Sequence, residues 1–293
     1  MVSGHEGHSR AFIKIQDGCD CFCSYCIVPY ARPDKRSKPL ADVLQEIKTL
    51  EGKGFAEIVL TGINIGNYRC PQTVADLAAL CENIAALPGR FRIRFSSIEL
   101  QTVTDGVVRL MSARPDRFCN YFHLPLQAGC DKVLKDMNRH YDTAAYRARV
   151  ADLRQHVSQI GIFADVIAGY PTETEADFEA TVAFIREVHL VFSYSPRPGT
   201  PAAALKQLPS GEIKRRSETL RALDKELRAA FAASLAGTEQ EVFVEEHKNG
   251  LPHGITSNFQ PVVLENAAQA HGLVRARITR AEGPLCFGRV LQE

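Results

Sequence analysis

Long apolar runs are absent from these 293 residues. None approaches the ~20 residues that a membrane span requires, and residues 1–10 are polar and rich in glycine and histidine, unlike a signal peptide. Charge of one sign is scarce too: 35 Lys and Arg against 34 Asp and Glu leave a net charge of +1 and a pI near 7.6. That excludes a global electrostatic pull toward nucleic acid, so any basic surface has to be local. There is neither an internal repeat nor a low-complexity segment. What remains, 45% hydrophobic and 24% charged, is ordinary globular composition, and the length suits one large domain plus a small one. The expected compartment is the cytosol, with no membrane partner.

Cysteine is plentiful, at nine residues. In a reducing compartment that count points to metal or redox chemistry rather than to disulfides. Cys70, Cys81, Cys119, Cys130 and Cys286 are scattered and read as small buried hydrophobes. Cys19, Cys21, Cys23 and Cys26 crowd into one loop directly after a strand-like run, and Cys19, Cys23 and Cys26 form Cys-x3-Cys-x2-Cys. Three thiolates can hold three irons of a [4Fe-4S] cubane and leave the fourth open to a cofactor. In a radical enzyme the open iron takes the amino and carboxylate groups of S-adenosylmethionine (SAM), whose one-electron cleavage gives methionine and a 5′-deoxyadenosyl radical. Tyr25, just before the last cysteine, offers an aromatic edge to the adenine. With Cys21 added, the same residues could make a four-thiolate zinc site.

Short β-like runs at 11–16, 56–61, 91–97, 121–126, 163–168 and 191–194 alternate with helical patterns at 40–51, 74–86, 144–159 and 176–188. Six strands are fewer than the eight of a closed barrel, which predicts an α/β domain shaped as a partial (β/α)6 barrel over residues 1–209, with functional groups at the C-terminal strand ends. Residues 210–237 read as one long charged connecting helix. From 238 to 293 short β runs at 241–245, 261–265, 272–278 and 288–291, broken by Gly, Pro and Asn, predict a small all-β barrel.

The stretch from Gln16-Asp17-Gly18-Cys19 to Cys26-Ile27-Val28-Pro29-Tyr30-Ala31-Arg32 closely resembles the radical-SAM tRNA methylthiotransferases. The motifs Leu60-Thr61-Gly62-Ile63-Asn64, Phe122-His123-Leu124-Pro125-Leu126-Gln127, Asp136-Met137-Asn138-Arg139, Asp165-Val166-Ile167-Ala168-Gly169-Tyr170-Pro171 and Tyr194-Ser195-Pro196-Arg197-Pro198-Gly199-Thr200 are similar to that family's, in the same order. The forms around Thr61 and His123 look most like the branch acting on N6-threonylcarbamoyladenosine at tRNA position 37. The resemblance implies Cys19, Cys23 and Cys26 as cluster ligands, and Thr61, Gly62 and Asn64 near the SAM amino group. Glu99 and Gln127 would approach its ribose or methionine part. It also implies a TRAM-like RNA-binding barrel at the C-terminal end, an electron donor such as flavodoxin or ferredoxin, and a tRNA anticodon loop as partner.

For RNA contact the sequence offers Lys214, Arg215, Arg216, Arg275 and Arg277, among interleaved glutamates. The resembled family begins with a further domain whose three cysteines hold a second [4Fe-4S] cluster, and no cysteine precedes Cys19. The sulfur source is therefore expected outside this chain. Ala128 and Cys130 stand where serines are usual, Cys21 is an addition, and the join at 187–192 is shorter than the family's. Two alternatives stand beside methylthiolation of adenine C2: the same radical core acting on an aspartate of a ribosomal protein, and a non-catalytic iron–sulfur or zinc RNA-binding module.

Overall fold

The computed structural model describes residues 10–188, 192–193 and 199–291. Strand β1 (Ala11–Asp17) buries Ala11, Ile13 and Ile15 on one face, the alternation expected of a pleated strand. Its end runs into the cysteine loop. A short helix α1 (Val28–Ala31) follows, and β2 (Arg36–Ser37) then folds back antiparallel on β1, Ser37 opposite Gln16 and Arg36 opposite Asp17. Helix α2 (Leu40–Gly52) buries Val43, Ile47 and Leu50, one stripe at helical spacing.

Strands β3 (Glu57–Gly62) and β4 (Arg92–Phe95) extend the sheet in parallel, with α3 (Leu77–Ala85), capped by Asp76, between them. Helix α4 (Asp105–Ala113) leads to β5 (Tyr121–His123), α5 (Asp131–Asp136) and α6 (Thr143–His156), the last capped by the Asp142 carboxylate. Strand β6 (Gly161–Phe163) pairs in parallel with β5; β7 (Ile167–Ala168), helix α7 (Glu175–Val188) and β8 (Phe192–Ser193) complete the α/β unit. Single bridges, Ser97 to His123 and Gln127 to Val166, link the successive sheets. The predicted run 163–168 is thus two strands, and within the α/β unit α1, α4, α5 and β2 are additions to the sequence reading.

Helix α8 (Ser210–Ser234) belongs to two cores: Leu220 and Leu223 pack into the α/β domain, Ala232 into the small barrel. That barrel is closed, β10-β11-β13-β12-β9, from β9 (Glu239–Lys248), β10 (Leu251–Thr256), β11 (Pro261–Leu264), β12 (Gly272–Glu282) and β13 (Leu285–Val290). It docks at the N-terminal ends of the parallel strands. Arg92 donates to the carbonyls of Glu241 (3.1 Å) and Ile255 (3.0 Å), and Arg94 to those of Thr256 (3.1 Å) and Ser257 (3.0 Å). The rings of Tyr121, Phe163 and Phe259 close the same junction. Four of the scattered cysteines are buried as expected, whereas Cys130 is half-buried with its Sγ 3.2 Å from Asp177. No helix among the described residues is long and apolar enough to cross a membrane.

Candidate functional site

The cysteine loop is fixed before any thiol is considered. Gln16 is buried and spans the strand exit: its Oε1 accepts from the Asn64 amide (2.7 Å), and its Nε2 donates to the carbonyls of Asp17 (2.8 Å) and Gly18 (2.7 Å). Gly18 has φ +77°, and a Cβ there would lie 2.1 Å from the Asp34 carbonyl oxygen, so only glycine fits. Further on, Asn138 Nδ2 donates to the carbonyls of Cys21 (3.3 Å) and Phe22 (3.0 Å), and the Ser24 amide donates to Met137 (3.1 Å). The Asp136-Met137-Asn138-Arg139 segment is therefore a clamp on the loop.

All nine cysteines are free, with Cys23 buried and Cys19, Cys21 and Cys26 half-buried. The Cys21 thiol donates to the Cys19 sulfur, which pulls Cys19 down to about 6 and pushes Cys21 up. Burial pushes Cys26 up. Among the described residues no three Cys, His, Asp or Glu side chains converge on a point that could hold a single ion. In a cubane each thiolate takes a different iron. The donor set, three or four thiols on a clamped loop at a strand end, fits such a cluster.

Around the loop the strand ends supply polar groups. Asn64, after β3, is buried with Nδ2 3.8 Å from Cys21 Sγ, and its Oδ1 has no hydrogen-bond partner among the described residues. A buried acceptor left open fits a ligand that brings a donor, such as the ammonium of SAM. Thr61 and Gly62 precede it, and Gly62 lies so close to Gln16 that a Cβ would meet the Gln16 carbonyl at 2.7 Å. Gln127, after β5, has φ +67° and bridges to the next strand through its backbone, its amide donating to Asp165 (2.8 Å) and its carbonyl accepting from Ile167 (2.8 Å).

Arg139 joins several of these groups. It pairs with Glu99 in two contacts, one of 3.2 Å, and donates to Cys23 Sγ (3.2 Å), while its Nη1 lies 3.5 Å from the Tyr25 hydroxyl. Its Nε donates to Tyr141 Oη (3.1 Å), which in turn donates to the carbonyls of Pro125 (2.7 Å) and Leu126 (2.9 Å). Burial pushes the Tyr25 phenol up. Two residues before Glu99, Ser97 Oγ lies 2.7 Å from His123 Nδ1, and His123 Nε2 is 3.3 Å from Asp165. Arg139, Asn138 and His123 were legible only as letters within motifs; no local pattern marks them as neighbours of the cysteines.

Among the described residues, none of the nucleic-acid residues named from sequence bonds to the cysteine loop. Arg216 is a correction: it is 1% exposed, locked to Glu173 (2.7 Å), Glu175 (3.2 Å) and Glu212, and unavailable to a phosphate. A guanidinium one helical turn from Glu212 finds more carboxylate inside the fold than in water. Lys214 is exposed, 3.9 Å from Glu218; Arg215 pairs with Glu175 (2.6 Å). Arg275 and Arg277 share Glu239, each at 2.7 Å, on the barrel docked at the far strand ends. The Tyr194-to-Pro198 part of the last motif and the join at 189–191 lie outside the described residues. A cavity of about 140 Å³ between α7, α8 and β6, lined by Ile160, Phe163 and Leu227, also lies at the far end, away from the cysteines.

A parallel α/β arrangement with a cysteine loop at the exit of its first strand and polar residues at the next three strand ends defines the class of protein. Residues 13–185 match the Radical SAM superfamily, and the chain belongs to it. That family works with a [4Fe-4S] cluster and SAM. The chain is 37% identical over 293 residues to the tRNA-2-methylthio-N(6)-dimethylallyladenosine synthase of Moorella thermoacetica, covering 97% of this chain and 66% of that protein. It is 36% identical over 246 residues to the threonylcarbamoyladenosine tRNA methylthiotransferase MtaB of Thermotoga maritima, covering 82% and 56%. The chain thus spans less than two thirds of the length of these relatives. The radical S-adenosylmethionine methyltransferase TsrM of Kitasatospora setae, 19% identical, superposes with a TM-score of 0.55 over 67% of this chain and 38% of that one, a likeness of fold.

Proposed function

We propose that this chain is the SAM-cleaving core of a tRNA methylthiotransferase that modifies C2 of an N6-substituted adenosine at position 37. The observation that carries the reading is the clamped Cys19–Cys23–Cys26 loop beside an open Asn64 acceptor, in a chain whose curated relatives are tRNA methylthiotransferases. When bound, the cluster and SAM supply a one-electron cleavage that yields a carbon-centred radical able to remove hydrogen from carbon. The chain's own residues bind and orient. Cys19, Cys23 and Cys26 hold iron; Asn64 Oδ1 accepts from the SAM ammonium; Glu99, Gln127 and Tyr25 border the adenosyl part. The three linked sheets are read as one partial (β/α)6 barrel, 1–209, followed by the connector and a TRAM-like barrel. Sulfur is taken to come from a second-cluster domain, electrons from a flavodoxin or ferredoxin.

The motifs around Thr61 and His123 favour the threonylcarbamoyl substrate, while relatives bearing the dimethylallyl and the threonylcarbamoyl names align with 97% and 82% of this chain. Anaerobic reconstitution with iron and sulfide, then dithionite, SAM and chromatography for 5′-deoxyadenosine, tests the core. Product that disappears in Cys23→Ala is expected; none from a fully loaded cluster would reduce the chain to a binding module. Deuterium passed to 5′-deoxyadenosine from anticodon stem-loops carrying C2-deuterated adenosine with either substituent decides between the two substrates.

A further inference from the structure

Of the residues first expected to meet RNA, Arg216 is buried and Arg275 and Arg277 lie on the barrel at the far strand ends, yet the cysteine-loop end carries its own cationic groove. A cavity of about 690 Å³ opens between β2 and the turn after β3, and its lining includes Lys35, Arg36 and Arg69 with Ser37 and Asn67, and no carboxylate among the described residues. We propose that this groove binds the phosphodiester backbone of the RNA substrate and so sets the position of the target base relative to the cysteine loop. The proposal rests on the RNA-substrate reading above and adds where the backbone lies.

Three features of the groove support it. First, it is welded to the loop: Arg36 is paired with Asp17 across β1–β2, the Cys19 amide donates to the Arg32 carbonyl (3.2 Å), and the turn holding Asn67 begins at Asn64, the neighbour of Cys21. A phosphate fixed here is fixed relative to the cysteines. Second, the cations are spread along two segments, 35–36 and 69, rather than gathered on one point, which suits successive phosphates along a backbone better than one small anion. Ser37 Oγ accepts from the Arg69 amide (3.0 Å), leaving its hydrogen to donate. Third, the acids nearby do not cancel the groove. Asp20 holds Lys35, Asp34 holds Arg36 (3.0 Å) and Asp76 holds Arg69 (3.3 Å), but all three pairs are largely exposed, at the weak end of ion-pair strength, and open to exchange for phosphate.

The test is binding of a fluorescein-labelled anticodon stem-loop RNA to the whole chain across a salt series, read by anisotropy. Wild type is compared with Arg36→Gln/Arg69→Gln, with Lys35→Gln as a second groove variant, and with Arg275→Gln/Arg277→Gln at the far end. The groove double variant should bind roughly tenfold more weakly, its log–log salt slope smaller by about 1.5, since each phosphate contact contributes about 0.7 to 0.9. Lys35→Gln should move the same way by about half, and the far-end variant little. Unchanged affinity and slope in both groove variants, or loss confined to the far-end variant, overturns the groove while the RNA reading stands. Absence of salt-dependent binding by wild type overturns both.

Discussion

Arg139 is the residue on which the site's charges meet. Its side chain is 4% exposed and faces Glu99, the Cys23 sulfur and the Tyr25 hydroxyl at once. Removing the cation leaves Glu99 without its partner in a largely dry environment, so Arg139→Met should lower unfolding free energy by about 3 kcal/mol in a urea titration. Adding Glu99→Gln should recover more than half of that loss; additive loss in the double variant would show that packing, not pairing, is the function of Arg139. Gly18 is the second point of strain. With φ +77° and the Asp34 carbonyl in the way of a Cβ, Gly18→Ala should cost more than about 1 kcal/mol and lower the iron bound per chain after reconstitution. Undiminished iron loading would mean that the loop tolerates a shift of β2. Gly18 could be singled out from sequence because it abuts Cys19. Arg139 could not, because the contact that defines it spans 116 positions and only the folded sheet brings the two ends together.

At the scale of elements, α8 shows how a charge pattern misleads. It reads as a charged connector with Arg216 offered to RNA, yet Arg216 points inward to Glu173, whose carboxyl is pushed up by burial and restrained by that guanidinium. Arg216→Met should destabilise the chain by about 3 to 5 kcal/mol by stranding a buried carboxylate. With its cation gone, Glu173 has a folded pKa still further above its unfolded value. Stability tied to such a raised group is present below the unfolded pKa and is lost as pH rises through the folded one. The deficit in the variant should therefore be larger at pH 8 than at pH 5, and a deficit independent of pH would remove Glu173 from the account. Strand β10 was illegible for a related reason of context: Pro252 and Gly254 argue against a strand. Gly254, however, sits at a register shift where a Cβ would approach the Phe243 carbonyl to 2.4 Å, so the glycine is what lets the barrel strands close. The run 163–168 looked continuous because its apolar residues are; the break after Phe163 follows from pairing partners on either side, which a single strand's pattern does not contain.

For the whole molecule the decisive geometry is two ended. The cysteine loop sits at the C-terminal end of β1, the small barrel at the N-terminal ends of β1, β3 and β4, and the seven residues of β1 separate them by roughly 20 Å. What holds the two parts together is a buried knot: Glu57, fully buried, accepts from Arg92 (2.7 Å) and Arg94 (2.8 and 2.9 Å), and both arginines reach on to carbonyls of the barrel. Burial alone would raise Glu57, but Arg94 and Arg92 outweigh it and hold the carboxyl at about 2 against an ordinary 4.5. A group lowered in this way contributes stability above its unfolded pKa and loses it as pH falls toward the folded value. The knot should thus give up about 3 kcal/mol between pH 4.5 and 2, the shift converted at about 1.4 kcal/mol per unit. Glu57→Gln keeps the shape and removes the charge, leaving the buried Arg94 without its carboxylate and Arg92 with Glu241 alone (3.2 Å). The variant should be about 3 kcal/mol less stable at pH 7, with a flatter acid limb than wild type, and proteases should cut the α8 connector sooner as the barrel loosens. An acid limb as steep as wild type in the variant would place the acid sensitivity in other carboxylates and leave the knot as packing alone.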